Sequence, residues 1–244
     1  MKNLMIGCIA DDFTGASDAA SHLRNAGFRT LLLDGYDDMH SAIADDEVQA
    51  VVIALKSRAI PPEDAVRLSC EAVRALRLSG ARQIYFKYCS TFDSTPRGNI
   101  GPVTDALMEL LEERYTLLCP SLPANGRTVE NGILYVNGVP LAQSPMRNHP
   151  INPMRNSSIP ELMAAQSRYP CFALTGGSLR LPPCDAAHFT AVPRYRTGED
   201  GESIAAQFGE LRLLTGGSDL LYHLARRRIT PQTPCLRHRE MQDG

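Results

Sequence analysis

Short apolar runs alternate with amphipathic segments through the first half of the chain. Five apolar runs bounded by polar residues or glycine are typical of buried strands, and they cover 4–10, 30–33, 48–55, 83–86 and 115–119. Between them, apolar residues recur at three- and four-residue spacing, which predicts helices at 16–25, 61–78 and 102–111. This alternation predicts an α/β fold with a parallel or mostly parallel sheet and helices on both faces.

The pattern weakens beyond residue 130. Residues 132–141 predict a hairpin, and its Asn137-Gly138 pair favours a type I′ turn. Residues 168–200 are rich in proline and have no sustained period. Further on, 204–214 predict a helix that runs into a strand, and 219–228 predict a short helix.

Composition narrows the classes of partner. A net charge of -2 provides no long-range field that would recruit nucleic acid or an anionic membrane. No apolar run approaches the roughly 20 residues that a membrane-spanning helix needs. The seven cysteines are scattered without a Cys-x-x-Cys pair, so we expect no zinc site and no disulfide framework. We therefore expect a cytoplasmic protein with no nucleic-acid partner, no membrane partner and no metal held by its own side chains.

The connector at 87–101 carries more polar chemistry than a turn needs. Lys87 and Arg97 can neutralise an anion, and an arginine can bind a carboxylate through two parallel hydrogen bonds. Asp93 and Asn99 can hold hydroxyl groups. The connector therefore predicts a binding site for a small anion.

Four of the predicted strands end in polar residues. The four groups are Asp11/Asp12/Thr14, Lys56/Arg58, Lys87/Asp93/Arg97/Asn99 and Asn125/Arg127. Because the carboxyl ends of parallel strands lie along one edge of a sheet, we expect these groups to meet there and form a ligand site.

Asp11 and Asp12 are adjacent carboxylates that repel each other, so their position at a strand end needs compensation. A metal ion, a hydroxyl-bearing ligand or the N-terminus of the next helix can provide it, and one of the two can simply be the helix N-cap. In phosphoryl transfer, such a carboxylate can accept the proton of the attacking hydroxyl. A receiver domain is excluded because Leu55-Lys56 stands where that class needs a phospho-accepting Asp. The chain also has neither a P-loop motif nor a Gly-x-Gly-x-x-Gly motif after a strand.

Several of these segments resemble the four-carbon acid sugar kinase family. They are IADDFTGA at 9–16, LKSR at 55–58, YFKYCSTFDST at 85–95, RGNIGPVTDAL at 97–107, NGRTV at 125–129 and NHPINPM at 148–154. Within that family the chain is most similar to the 3-oxo-tetronate 4-kinase branch, and the resemblance is dense over residues 4–167. It implies a two-domain enzyme that phosphorylates the 4-hydroxyl of a four-carbon sugar acid such as 3-oxo-tetronate. The N-terminal α/β domain would hold the acid, and the C-terminal domain would hold ATP with Mg²⁺.

The resemblance also implies roles for individual residues. It places the substrate at Asp11, Thr14, Arg58, Lys87, Ser90, Asp93, Arg97 and Asn99. We take Asp12 as the catalytic residue near the phosphorylated hydroxyl, and Arg97 and Lys87 as ligands of the substrate carboxylate. Gly216, Gly217 and Ser218 resemble the segment that leads into the ATP domain.

The chain also departs from the family pattern. Asp219 stands where the family has glycine, and the family's chains are much longer than these 244 residues. We therefore expect a sugar-acid-binding domain over 1–167, a degenerate remainder over 168–228 that leads toward a missing ATP domain, and a disordered tail over 229–244. The chain is then either the substrate half of a kinase, completed by a separate ATP-domain chain, or a non-catalytic sugar-acid-binding protein. An exposed domain face further predicts a homodimer.

Overall fold

A computed structural model describes residues 4–37, 39, 43, 47–150 and 152–229. The strands are β1 Ile6–Ala10, β2 Thr30–Asp34, β3 Ala50–Ala54, β4 Gln83–Lys87, β5 Tyr115–Cys119, β6 Arg127–Glu130, β7 Ile133–Val136, β8 Val139–Pro140, β9 Cys171–Ala173, β10 Phe189–Val192 and β11 Leu213–Gly216. The α-helices of the described part are α1 Phe13–Asn25, α2 Pro62–Leu78, α3 Ile100–Leu110, α4 Ile159–Ala164, α5 Gly198–Phe208 and α6 Asp219–Ile229. Three short 3-10 helices cover Pro123–Asn125, Leu141–Gln143 and Pro145–Asn148.

Eight of the strands form one sheet in the order β2-β3-β1-β4-β11-β5-β10-β9. Every paired neighbour in it is parallel, which confirms the predicted fold class. β1 is an interior strand between β3 and β4, and the chain crosses from one side of β1 to the other through α2. Such a change of winding direction leaves a crevice at the carboxyl ends of the strands.

Helices cover both faces of this sheet. One core contains the apolar sides of α1, α5 and α6, with Leu23, Ile204 and Leu224 fully or almost fully buried. The other core contains α2, α3 and α4, with Leu76 and Leu107 fully buried. β1 is buried on both sides, which explains its unbroken apolar sequence.

The second half of the chain is built into the same sheet. β11 pairs with β4 on one side and β5 on the other, so it occupies the centre of the sheet. Tyr88 and Thr215 share a buried hydrogen bond of 3.0 Å that ties the connector after β4 to β11. The division at residue 167 stays a prediction, and the predicted tail lies outside the described residues except for Ile229, which ends α6.

The hairpin predicted at 132–141 is present as β7 and β8, which belong to a separate three-stranded antiparallel sheet with β6. Asn137 and Gly138 both have positive φ, at 51° and 78°, as a type I′ turn requires. This confirms the predicted hairpin and its turn.

Two further observations concern the apolar character of the helices and the cysteines. Among the residues that the structure describes, no helix is long and apolar enough to cross a lipid bilayer. Cys8 and Cys119 are buried as small apolar groups, and burial raises the pKa of Cys8 to about 12. The six cysteines within the described ranges are all free thiols.

Candidate functional site

The carboxyl ends of β1, β3 and β4 bring the first predicted site residues together. Ala10 of β1 is in register with Ala54 of β3 and with Lys87 of β4. The backbone continues this alignment past the strands, because the Asp11 amide donates to the Lys87 carbonyl at 3.1 Å and the Arg58 amide donates to the Asp11 carbonyl at 3.1 Å. The backbone therefore places Asp11 and Arg58 next to each other at the carboxyl edge of the sheet.

Arg58 binds both acids of the Asp11-Asp12 pair. Its Nε and Nη2 donate to the two carboxylate oxygens of Asp11 at 2.9 and 2.8 Å, and its Nη1 lies 2.7 Å from Oδ2 of Asp12. The bidentate geometry is the strongest that an arginine and a carboxylate can form. One guanidinium therefore compensates the repulsion between the two adjacent carboxylates.

Asp12 is also the N-cap of α1. Its backbone is extended, and its side chain accepts a hydrogen bond from the Gly15 amide, as an N-cap does. The N-cap alternative for this pair is thereby confirmed. A Cβ at Gly15 would lie 2.7 Å from Asp12 Oδ1 and 3.1 Å from Lys87 Nζ, so only glycine lets these two side chains approach the helix start.

Burial dominates the electrostatics of Asp11, whose side chain is almost inaccessible to solvent. Desolvation raises the pKa of Asp11 above its ordinary value, and the hydrogen bonds and charge of Arg58 act in the opposite direction. For Arg58, desolvation lowers the pKa, but the hydrogen bonds and charge of Asp11 outweigh it and the pKa is raised. Arg58 therefore stays protonated, and its ion pair with Asp11 has a structural role at this edge of the sheet.

Two residues with unfavourable backbone conformations precede the charged side chains. Lys56, two residues before Arg58, has φ 51°, and Phe92, directly before Asp93, has φ 50°. Left-handed backbone in a bulky residue is costly and persists where the surroundings enforce it. Phe92 is fully buried and packs edge-to-face on Tyr88 with ring centroids 5.5 Å apart. This packing holds the connector in the bend that presents Asp93.

Asp93 lies beside Arg58 and is oriented from a distant part of the chain. Asn152 Nδ2 donates to Oδ1 of Asp93 at 2.8 Å, whereas Oδ2 of Asp93 is 3.8 Å from Arg58 Nη1. The backbone amide of Asn152 in turn donates to Nδ1 of His149 at 3.1 Å. Asn152 is a site residue that the sequence interpretation did not select, although it lies in the 148–154 segment that carries the family resemblance.

Asn99 anchors the loop that carries Arg58. Its Nδ2 lies within hydrogen-bonding distance of three backbone carbonyls, those of Ser57 at 2.7 Å, Ile60 at 2.9 Å and Arg58 at 3.3 Å. Only 7% of Asn99 is exposed, and among the described residues no group donates a hydrogen bond to its Oδ1. The polar residues at this edge enclose a narrow cleft, which is lined by Asp11, Ser57, Arg58, Phe86, Asp93, Ser94, Asn99 and Ile100.

The other predicted substrate residues do not line this cleft. Lys87 is only 4% exposed, and its Nζ donates to the Tyr88 carbonyl at 3.0 Å. Thr14 is exposed on the first turn of α1, and Ser90 is half-buried in the connector. Arg97 is exposed on the turn before Asn99, and within the described part of the chain its guanidinium has no hydrogen-bond or ion-pair partner.

Gly216, Gly217 and Ser218 lie at the carboxyl end of β11, along the same edge of the sheet. A Cβ at Gly216 would be 2.1 Å from the Cys119 carbonyl oxygen, and one at Gly217 would be 2.8 Å from the Pro120 carbonyl oxygen. Ser218 is buried and its hydroxyl donates to Asp18. Close packing against β5 and the residues that follow it accounts for the two glycines, and ATP binding by the three residues stays a prediction.

Asp219, which stands where the family pattern has glycine, interacts with two side chains of the protein itself. Its Oδ2 accepts a hydrogen bond of 2.5 Å from the Tyr195 hydroxyl and lies 3.5 Å from Nε2 of His223. Within the ranges that the structure describes, no group of three or more His, Cys, Asp or Glu side chains is arranged to hold a metal ion. Binding of ATP and Mg²⁺, which the family resemblance implies, stays a prediction.

The fold is a parallel α/β domain with a narrow polar cleft at the carboxyl ends of its strands. The model of the family described as "Sugar-binding N-terminal domain" matches residues 6–198. The chain belongs to this family, which confirms the resemblance that the motifs carry.

Relatives of this chain carry the name 3-oxo-tetronate kinase. A Brucella melitensis protein of that name is 42% identical over 93% of this chain and 53% of its own length. Another, from Escherichia coli K12, is 41% identical over 91% of this chain and 59% of its own length. The chain thus spans little more than half the length of these curated relatives.

Solved structures show the same architecture. A Haemophilus influenzae protein superimposes with a TM-score of 0.83 at 41% identity, covering 91% of this chain and 56% of that one. A Bordetella bronchiseptica domain of unknown function matches with a TM-score of 0.75 at 28% identity, covering 92% of this chain and 57% of that one. The Bordetella protein was crystallised with bound citrate as a domain-swapped dimer.

Proposed function

We propose that this chain binds a four-carbon sugar acid in the cleft at the ends of β1, β3 and β4. The observation that carries the proposal is the arrangement of Asp93 and Asn99 around Arg58, whose charge Asp11 and Asp12 already balance. The enclosed part of the cleft measures only about 10 Å³, so the acid would lie over its mouth, where carboxylate, amide and guanidinium groups can form hydrogen bonds with hydroxyls. The family membership and the citrate bound by the Bordetella relative support a small carboxylic acid as the ligand.

We further propose that the domain is the substrate half of an ATP-dependent kinase that phosphorylates the 4-hydroxyl of the acid. The names of the relatives support the reaction class, and the share of their length that this chain spans leaves room for a second domain. ATP and Mg²⁺ supply a transferable phosphoryl group and neutralise its charge. We assign both to a second domain or a separate chain, as the family resemblance implies.

The structure offers two carboxylates as acceptors of the substrate proton. Asp12 is the candidate of the sequence interpretation, yet its two oxygens are engaged by the Gly15 amide and by Arg58. Asp93 uses one oxygen for Asn152 and keeps the other beyond hydrogen-bonding distance of Arg58. Of the two, Asp93 has the freer oxygen, and Asp12 is better suited to holding Arg58 and the helix start.

Calorimetric titration of the folded chain with erythronate and threonate, the 2,3,4-trihydroxybutanoates, tests this proposal. We expect one of the two acids to bind without ATP, and we expect Asp93→Asn to weaken binding about tenfold or more. Arg24→Gln, a change at the opposite end of α1, should leave the affinity unaltered. A folded chain that binds neither acid contradicts the proposal.

Catalysis and assembly need separate measurements. If the chain is only the substrate half, Mg·ATP will not bind to it, and phosphorylation will appear only when a chain with the second domain is added. Turnover by the isolated chain would instead place the nucleotide site within these residues. We also propose a homodimer in the cytoplasm, by analogy with the domain-swapped Bordetella relative, and light scattering that shows a monomer at high concentration contradicts the dimer.

A further inference from the structure

A groove lies between the carboxyl ends of α2 and α3, where the chain enters β4 and β5, and so at the edge of the sheet opposite the cleft. Its volume is about 540 Å³, and its apolar lining consists of Val73, Leu78, Leu110 and Leu111. Leu78, the last residue of α2, is 83% exposed, which makes it the most exposed of the large apolar side chains that the structure describes. An exposed leucine beside an apolar groove is typical of a surface that another protein covers.

Two of the charged side chains that line the groove have no hydrogen-bond or ion-pair partner within the described residues. They are the guanidinium of Arg74 on α2 and the carboxylate of Glu112 after α3, and both residues are exposed. The other two arginines of the groove are engaged, since Arg212 pairs with Glu113 at 2.9 Å and Arg77 donates to a backbone carbonyl at 3.2 Å. The groove therefore presents one unpaired charge of each sign.

Glu112 holds its position at a cost in backbone free energy. It follows the end of α3 with φ 53°, and its amide and that of Glu113 donate to the carbonyls of Glu109 and Met108. The end of α2 has the same pair of hydrogen bonds, but there a glycine, Gly80 with φ 101°, stands at the equivalent position. A glutamate is less favourable than glycine in left-handed backbone, and strain of this kind is found at functional positions. The helix end by itself therefore does not explain the carboxylate beside the groove.

The two unpaired charges discriminate between kinds of partner. An acidic partner can pair with Arg74, but it brings its own acids close to Glu112. In a second copy related by a two-fold axis, Arg74 of each chain meets Glu112 of the other, because every contact in such an interface occurs twice. The charges of the groove are thus complementary to themselves, and the same contact covers the exposed Leu78 of both chains.

From these features we infer that two copies of this chain associate through the groove, with Arg74 of each chain paired with Glu112 of the other. The inference rests on the homodimer proposed above and adds the interface. It does not depend on sugar-acid binding, because the groove lies at the edge of the sheet opposite the cleft and the contact leaves both clefts open. The contact also needs no exchange of a domain, in contrast to the dimer of the Bordetella relative.

The first test measures association of the intact chain by sedimentation velocity at increasing concentration. We expect a reversible dimer with a dissociation constant in the micromolar range, and Leu78→Asp should raise that constant about tenfold or more. The control Val139→Asp places the same charge on an exposed apolar residue of β8, outside the groove, and should leave the constant unaltered. A monomer at every concentration overturns both the homodimer and this inference, while sugar-acid binding stands on its own titration. A dimer that Leu78→Asp leaves unchanged overturns the inference alone.

The second test reverses the two charges. Arg74→Glu and Glu112→Arg should each weaken the dimer about tenfold, because each leaves like charges facing each other across the two-fold axis. The double variant Arg74→Glu/Glu112→Arg should return to within about threefold of the wild type, since both pairs form again with opposite polarity. Arg180→Glu, an exposed change outside the groove, is the control and should have no effect. Circular dichroism first checks that each variant folds, and the charge variants decide the matter if Leu78→Asp does not. A double variant that dimerises no better than the single variants overturns the inference.

Discussion

Arg58 and Asp11 form a two-point ion pair across the ends of β3 and β1, with Nε to Oδ2 at 2.9 Å and Nη2 to Oδ1 at 2.8 Å. Both residues of the pair line the cleft. The side-chain amide of Asn99 donates to the backbone carbonyls of Ser57 and Arg58 and so holds the loop that carries the arginine. The same two residues therefore contribute to the stability of the sheet edge and to the shape of the cleft.

Arg58→Ala should destabilise the protein strongly. It leaves Asp11 as a buried carboxylate without a partner, and breaking a buried pair in this way costs about 3–5 kcal/mol. Urea unfolding followed by circular dichroism measures the loss. The matched control is Arg97→Ala, which removes an exposed arginine without a described partner and should change the free energy of unfolding by less than about 0.5 kcal/mol. Similar losses in the two variants would show that the Asp11 pair contributes little.

Gly101→Ala should weaken the contact between α3 and the segment after α4. A Cβ at position 101 would lie 2.6 Å from the Gln166 Cβ and 2.9 Å from the Gln166 carbonyl carbon. The clash also disturbs the hydrogen bond from the Gly101 amide to Gln166 Oε1, so we expect a loss of about 1–3 kcal/mol by thermal or urea unfolding.

Gly198→Ala is the control for that substitution. Gly198 is the first residue of α5, and a Cβ there would meet only His223 Cε1, at 3.8 Å. We expect this variant to be as stable as the wild type or more stable by up to about 1 kcal/mol, since alanine is the better helix former. Destabilisation of both variants to the same degree would argue against a specific clash at Gly101.

Lys56→Gly should be more stable than Lys56→Ala. Both variants lose the exposed ion pair with Asp34, so their difference isolates the backbone, whose φ of 51° suits glycine. We expect about 1 kcal/mol in favour of glycine. Urea unfolding of the two variants side by side measures this difference in stability. Equal unfolding midpoints would show that the backbone at position 56 is not strained.

Asp219 should contribute to the loss of stability in acid. Its burial raises the pKa, but the hydrogen bonds from His223 and Tyr195 outweigh burial and the pKa is lowered. The folded state therefore binds this proton more weakly than the unfolded chain does. The stabilisation is present above the usual pKa of an aspartate and is lost as the pH falls through the lowered folded-state pKa.

The variant Asp219→Asn tests this contribution. It should be less stable than the wild type at neutral pH, by about 1–3 kcal/mol, and the gap should narrow as the pH is lowered below 4. Glu202→Gln, an exposed change on α5, provides a control with the same loss of charge. A gap that stays constant down to pH 2 would show that the Asp219 carboxylate is not the titrating group.

The local pattern along the chain was enough to predict the first five strands, the helices between them and the hairpin turn. Apolar runs such as 48–55 and the Asn137-Gly138 turn depend on interactions between near neighbours, which a sequence displays directly. The polar strand ends also predicted where the site lies, since the edge at which parallel strands end follows from the fold class.

Only the tertiary structure decided how the site residues are used. Arg58 meets Asp11 from a distance of 47 residues and Asn152 meets Asp93 from 59, and no local pattern records such pairs. β9 and β10 are three and four residues long, too short for a periodic signal, and they form because neighbouring strands supply their hydrogen bonds. Likewise, whether Asn99 Oδ1 has a donor depends on every element packed around it.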